Sequence, residues 1–170
     1  PAVMTKRTLK PEAIAYLLEG LKTQLSLTGS DLDQRLEQCL RASLRNAEAF
    51  LGYKVAMSDV VQTEKYALQI PLLYSPVARV TGVLVTSGDF IASVEDYRIE
   101  DGVLFIGTDI PGMETVQVFY EAGMDPDEID ADILQAVFMR AASLFEHPAD
   151  QVDQYQRASV NLLRPHRLWK

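Results

Sequence analysis

The sequence predicts an α+β protein: a helical base, an inserted small antiparallel β subdomain, and an extended C-terminal arm. Three observations predict it. The hydrophobic period is helical from residue 11 to 53, gives way to short β-type runs between 55 and 123, and becomes helical again from 125. Val, Ile, Tyr, Phe and Thr concentrate in the middle part, as pleated, half-buried surfaces favour. Residues 157–170 carry Arg157, Arg164, Arg167 and Lys170 and no acidic residue, whereas residues 1–156 hold 12 basic and 24 acidic side chains. The boundaries that follow are 1–53 for an N-terminal helical part, 54–123 for the β insertion, 124–156 for the C-terminal helix of the base, and 157–170 for a basic arm.

The totals are those of a chain that folds. Its 170 residues are 48% hydrophobic and 24% charged, enough to bury a core in one domain or in one domain carrying an insertion. A net charge of -8 argues against a groove that grips nucleic acid by neutralising phosphates, though not against a surface that DNA slides past. A single cysteine, Cys39, makes no internal disulfide and requires no oxidising compartment. No apolar run approaches membrane-spanning length, and PAVMTKRTLK has no apolar core for a signal peptide, so a cytoplasm-like setting is expected.

Pro11 suits a first helical position, and Ile14, Leu17, Leu18, Leu21 and Leu25 recur at helical spacing behind it. After LTGSD a longer helix is expected, with Ser30 and Asp33 as a capping-box-like start and Leu32, Leu36, Leu40, Leu44, Ala47 and Leu51 on one face. Gly52 fits its left-handed stop. VVQTEKYALQI, VARVTGVLV, DYRIE, GVLFIG and ETVQVFYEA then read as strands, and in the last of these Val116, Val118 and Tyr120 share a face. Pro71 and Pro76 make LLYS a connection, and Asp101-Gly102 suits a tight hairpin turn.

From Asp125 a helix is expected, with Asp125 as cap, Pro126 in the first turn, and Asp127, Glu128, Asp130 and Asp132 at the positive end of its dipole. Ile129, Ile133, Ala136, Val137, Ala141, Leu144 and Phe145 form its apolar face, and Pro148 stops it after His147. The small residues Ala136, Ala141 and Ala142 let another helix approach closely. With Arg140 and Leu144, Ala136 and Ala141 are the expected contacts between copies in a head-to-tail arrangement. A short amphipathic piece around Val160–Leu163 ends at Pro165.

Little in the sequence proposes catalysis. His147 and His166 lie in different segments, and no spacing sets a nucleophile beside a base. Cys39 reads as a small core residue, and His147 as a helix C-terminal residue at the negative end of the dipole. DPDEIDAD fails as a calcium loop, since its sixth and twelfth positions are Asp130 and Ala136 rather than Gly and Glu. None of the glycines forms a phosphate loop ahead of a helix. No enzyme activity, cofactor or metal is expected, although 24 carboxylates leave an unrecognised hydrolase as an alternative.

The tail carries the clearest sign of a partner. A merely solvated basic end has no reason to hold Leu162, Leu163, Leu168 and Trp169, whereas apolar anchors alternating with Arg are what a docking segment needs. Fully extended, the segment from Arg157 would span about 45 to 50 Å, enough to reach a neighbouring copy or another protein.

Taken together, SDLDQRLEQCLRASLRNAEAFLGY, IPLLYSPVARVTGV, DYRIEDGVL, VQVFYEAGM, DADILQAV and LLRPHRLWK resemble the head-tail connector (portal adaptor, head completion) proteins of tailed bacteriophages, in their longer form with a β-rich middle. The order and spacing of these motifs carry the resemblance, which runs from about Thr8 to the C-terminus. Met124 stands where an aromatic is usual, FEHPAD lacks the commoner Arg after Glu, and His166 replaces the usual Tyr. The resemblance implies a dodecameric ring below the portal of a DNA-filled capsid, assembled in the host cytoplasm and residing in the virion at the head-tail interface. Portal protein would contact one face and a stopper or tail-completion protein the other, with DNA passing through the channel without specific binding and no membrane involved. Leu162, Leu163, Arg164, Pro165, His166, Arg167, Leu168 and Trp169 would be the portal-docking residues. A different homo-oligomeric binding module, with its tail swapped onto a neighbour, is the other binding reading.

Overall fold

Two chain segments, Lys10–Ala56 and Met124–Lys170, make one unit, and Met57–Gly123 together with the N-terminal segment makes a second. The computed structural model describes residues 3–147 and 153–169. The architecture is mixed α+β, as its periodicity indicates.

In the helical unit, α1 spans Pro11–Gln24, α2 Asp33–Leu51, α3 Ala131–Glu146 and α4 Asp153–Leu163. Leu17, Leu21, Leu36, Leu40, Leu44, Leu51, Ile133 and Val137 form its core, each at most 2% exposed. Gly52 ends α2 with φ 87°, a left-handed conformation that glycine adopts without a Cβ penalty. The expected capping box of α2 is absent: Leu32 is the N-cap, and Asp33 instead pairs with Lys22 of α1 at 3.0 Å. That carboxylate, by hydrogen bond and charge, raises the Lys22 pKa above its usual value.

The helix expected from Asp125 forms in two steps. Pro126–Glu128 is a single 3-10 turn, whose Glu128 carboxylate accepts the Asp125 amide at 3.3 Å, and Ile129 and Asp130 are extended before α3 begins at Ala131. Ile129, Ile133, Ala136, Val137 and Ala141 are buried as expected, while Leu144 and Phe145 are half-buried. The end of α3 at Glu146 agrees with the stop placed after His147; Pro148 itself lies outside the described residues.

Gly20 of α1 sits beneath the Phe138 ring of α3, so closely that a Cβ on Gly20 would overlap the ring. Helical periodicity gives no hint of this contact.

The β unit holds a five-stranded and a three-stranded sheet, with every pairing of named strands antiparallel. Its strands are β1 Met4–Leu9, β2 Ser58–Lys65, β3 Gln69–Pro71, β4 Val77–Ser87, β5 Phe90–Ser93, β6 Tyr97–Glu100, β7 Val103–Ile106 and β8 Thr115–Ala122. The large sheet runs β1-β2-β8-β4-β5 and the small one β3-β7-β6. Val60, Val83, Val85, Val116, Val118 and Tyr120 meet Ile70, Leu104 and Ile106 in a common core. Met4–Leu9, inside the stretch expected to be the N-terminal helical part, is instead an edge strand pairing with β2 from Met4↔Thr63 to Leu9↔Ser58. Asp101 and Gly102 take φ 50° and 76° between β6 and β7, the two positive values that a type I′ hairpin turn requires.

The connection between β3 and β4 is fastened from within. Gln62, fully buried, donates to Glu64 at 2.7 Å and to the Pro71 carbonyl at 2.8 Å, and accepts from the Leu73 amide at 3.0 Å and the Tyr120 hydroxyl at 3.1 Å. Tyr120 accepts in turn from the Tyr74 amide at 3.2 Å, and burial pushes its phenol pKa up.

Candidate docking site

The C-terminal segment is packed against its own helical unit and is not a free extended arm. Leu163 at the end of α4 is 4% exposed and belongs to the core, so it is not available to a partner as it stands. Residues Arg164–His166 continue as one 3-10 turn, and Pro165, which lacks the amide a longer helix would use, sits in that turn. The chain then extends, and the Leu168 amide donates to the Leu51 carbonyl at 2.9 Å, meeting one of the groups left open at the C-terminus of α2. Leu168 lies against Gly52, where a side chain on residue 52 would meet the Leu168 Cβ at 3.7 Å.

Side chains add three more attachments. Arg167 stacks over Phe50 of α2, 4.9 Å from the ring centroid, and over Trp169 at 4.8 Å. His166 Nδ1 lies 3.3 Å from Asp130 and its Nε2 3.5 Å from Asp132 at the start of α3, and Nε2 makes no hydrogen bond. What remains outward is Arg164, Pro165, Arg167, Leu168 and Trp169; Leu168 is 53% exposed and Trp169 73%. Leu162 is half-buried. The side chain of Arg157, and Lys170, lie outside what is described.

The four residues expected between copies divide in the same way. Ala136 and Ala141 are 1% and 0% exposed within the subunit, where their small size serves the packing of α3 on its own neighbours. Arg140 and Leu144, both half-buried, reach the surface, and Ala136 borders an open cavity. Ser43, Asn46, Phe50, Arg140, Ser159 and Val160 line an open cavity of about 440 Å³ among α2, α3 and α4.

Buried polar groups serve structure in both units. Glu48, 3% exposed, accepts the Val55 amide at 2.9 Å and the Ala56 amide at 3.3 Å, which fixes the chain as it leaves α2. Beside it the Met124 amide donates to the Val55 carbonyl at 2.9 Å, and Ala56 and Met124 form a parallel bridge. The outgoing and returning segments are thereby clamped together. Glu121 receives a two-pronged contact from Arg79, at 2.8 and 3.0 Å. Cys39 is half-buried and burial pushes its thiol pKa up, the opposite of what a reactive cysteine needs. Among the described residues no group of three His, Cys, Asp or Glu is placed to hold a metal, and no helix is long and apolar enough to cross a membrane.

A family model described as head completion protein matches residues 17–146. Among solved structures the chain is similar to a chain in the neck of an empty gene transfer agent (GTA) particle computed with C6 symmetry, with a TM-score of 0.78 and 20% identity over 98% of this chain and 96% of that one. It is also similar to a chain of the native GTA virion, at TM-score 0.72 and 21% identity, and to one from the native GTA neck computed with C12 symmetry, at 0.70 and 17%. In both, 98% of this chain and 96% of the other are covered. These likenesses establish a shared fold. No curated protein matches the chain.

Proposed function

Since the chain belongs to the head completion protein family, we propose that it is a structural virion protein whose copies form a twelvefold ring between the capsid portal and the tail or the next head-completion protein, leaving a channel for DNA. The observation that carries this reading is the presented C-terminal tip. Leu168 and Trp169 are mostly exposed, yet the backbone beneath them is fixed by the Leu168–Leu51 hydrogen bond and the Arg167 stack. A large aromatic held outward on a fixed backbone loses little entropy on binding and has the makings of an interface anchor. Arg164 and Arg167 beside it favour an acidic partner surface, for which the portal is the candidate.

Charge supports the conduit. A net charge of -8 per copy, repeated around a ring, repels phosphate from the walls and leaves DNA free to pass. Similar chains occur in GTA necks computed with C6 and with C12 symmetry, which supports a ring and a place in the virion; we place that ring at the head-tail interface and give it twelve copies. Assembly would take place in the host cytoplasm.

The experiment is co-sedimentation with the cognate portal, comparing the full chain with Leu168→Ala/Trp169→Ala. Cutting the chain after Val160 would remove buried Leu163 and confuse unfolding with lost docking. Binding by the full chain and not by the folded double variant supports docking through the tip. Equal binding by both removes the tip from the portal contact, and no binding by either overturns the connector reading.

A further inference from the structure

The five-stranded sheet has two different edges, β1 and β5, and neither is covered by another strand among the described residues. Both carry apolar side chains turned to solvent: Val3 and Met4 are 43% and 67% exposed at one edge, Phe90 and Ile91 56% and 64% at the other. An uncovered edge with exposed apolar residues is a template for a further strand, which proteins ordinarily block unless they use it. The two edges are also opposite in charge. MTKRTL of β1 holds Lys6 and Arg7 and no acid, while GDFIASVED, from 88 to 96, holds Asp89, Glu95 and Asp96 and no base. Asp89 and Glu95 are exposed, as is Lys6.

We infer that β1 of one copy pairs with β5 of the next, joining the large sheets edge to edge around the ring; the inference rests on the ring reading above. The backbone has the groups for it. The Val94 amide donates to the Val83 carbonyl, which sets the alternation of the β4–β5 ladder so that the amides and carbonyls of Ile91 and Ser93 point away from β4. On β1, alternate residues must likewise point away from β2. Because the two edges differ, the contact is head-to-tail, which makes a ring when the rotation between copies closes. At a strand spacing of about 4.8 Å, twelve five-stranded sheets joined this way run about 290 Å around, a circle about 90 Å across that leaves room for a central passage. Added strands gain affinity from main-chain hydrogen bonds, and here Lys6 and Asp89 or Glu95 would favour the heterologous pairing over pairing of like edges.

The test is sedimentation velocity of the full chain alone, over a range of concentration and salt. The wild type is expected to associate with increasing concentration and to dissociate as salt rises. Ile91→Pro removes an outward amide while leaving the β4–β5 ladder its own bonds, and is expected to give a monomer with an unchanged circular dichroism spectrum. Lys6→Glu is expected to weaken association about tenfold by placing like charges opposite, and Lys6→Glu combined with Asp89→Lys to restore it. The charge pair keeps the test decisive if Ile91→Pro unfolds. A wild type that stays monomeric, or variants that associate as the wild type does, would overturn the edge pairing. The ring reading is judged separately: edge variants that still bind the portal at wild-type stoichiometry refute this pairing and leave the ring standing.

Discussion

The β unit and the helical unit solve the burial of polar groups differently. In the β unit the buried amide of Gln62 is satisfied half by side chains, Glu64 and Tyr120, and half by the backbone of the connection it fastens, at Pro71 and Leu73. In the helical unit two buried polar side chains reach for backbone: Ser43 donates to the Val137 carbonyl at 2.7 Å, and Glu48 accepts two consecutive amides. The reason lies in how each is strung. All of the β unit except β1 comes from one continuous stretch, whereas the helical unit must join two stretches separated by the whole insertion. Side chains that grip backbone at the crossing fix where the second stretch begins.

The largest effect should come from breaking that grip. Glu48→Ala leaves the Val55 and Ala56 amides buried without their carboxylate, and is expected to cost about 3 kcal/mol in chemical denaturation. Glu48→Gln keeps an acceptor of the same shape and should cost about 1 kcal/mol. Equal losses for the two would mean that the charge beside Lys54, 3.9 Å away, matters more than the amides.

Gln62→Leu tests the other strategy and should cost about 2 kcal/mol, since leucine fills the space and strands the Leu73 amide and the Pro71 carbonyl. Hydrogen exchange should show faster exchange at Leu73 and Tyr74. If protection there is unchanged, the network is not what holds that connection.

Gly20→Ala sets two effects against each other. Alanine gains about 1 kcal/mol of helix propensity, but its Cβ collides with Phe138, and overpacking of this kind costs about 2 kcal/mol. A net loss of about 1 kcal/mol is expected, and Phe138→Leu in the same chain should turn it into a gain.

The residues that could be read from sequence are those whose role is local. Asp101-Gly102 announces its turn because two positive φ values need that chemistry, and Gly52 ends its helix for a related reason. Val116, Val118 and Tyr120 show their buried face by alternation alone. What escaped depends on distant partners. Met4–Leu9 becomes a strand because β2, far along the chain at Ser58–Lys65, supplies its ladder, and Gly20 matters only because Phe138 arrives from another helix. Ser30-x-x-Asp33 reads as a cap, but Lys22 offers Asp33 a better partner. The candidate site divides along the same line: Trp169 and Leu168 stand out as apolar residues in a basic tail, while the burial of Leu163 and the place of His166 beside Asp130 and Asp132 follow from packing that no pattern in LLRPHRLWK reveals.

Trp169 gives the smallest effect on stability and the sharpest on function. Its side chain is 73% exposed and touches Arg167, so Trp169→Ala should change stability by less than about 0.5 kcal/mol, within the range of ordinary surface substitutions. Leu163→Ala, four-hundredths exposed in the core of the same segment, should by contrast cost about 3 kcal/mol. Portal binding should rank the two in the opposite order, lost with Trp169→Ala and kept with Leu163→Ala below its melting temperature. A portal contact that follows stability rather than exposure would mean that the whole packed segment, and not its tip, is what the partner recognises.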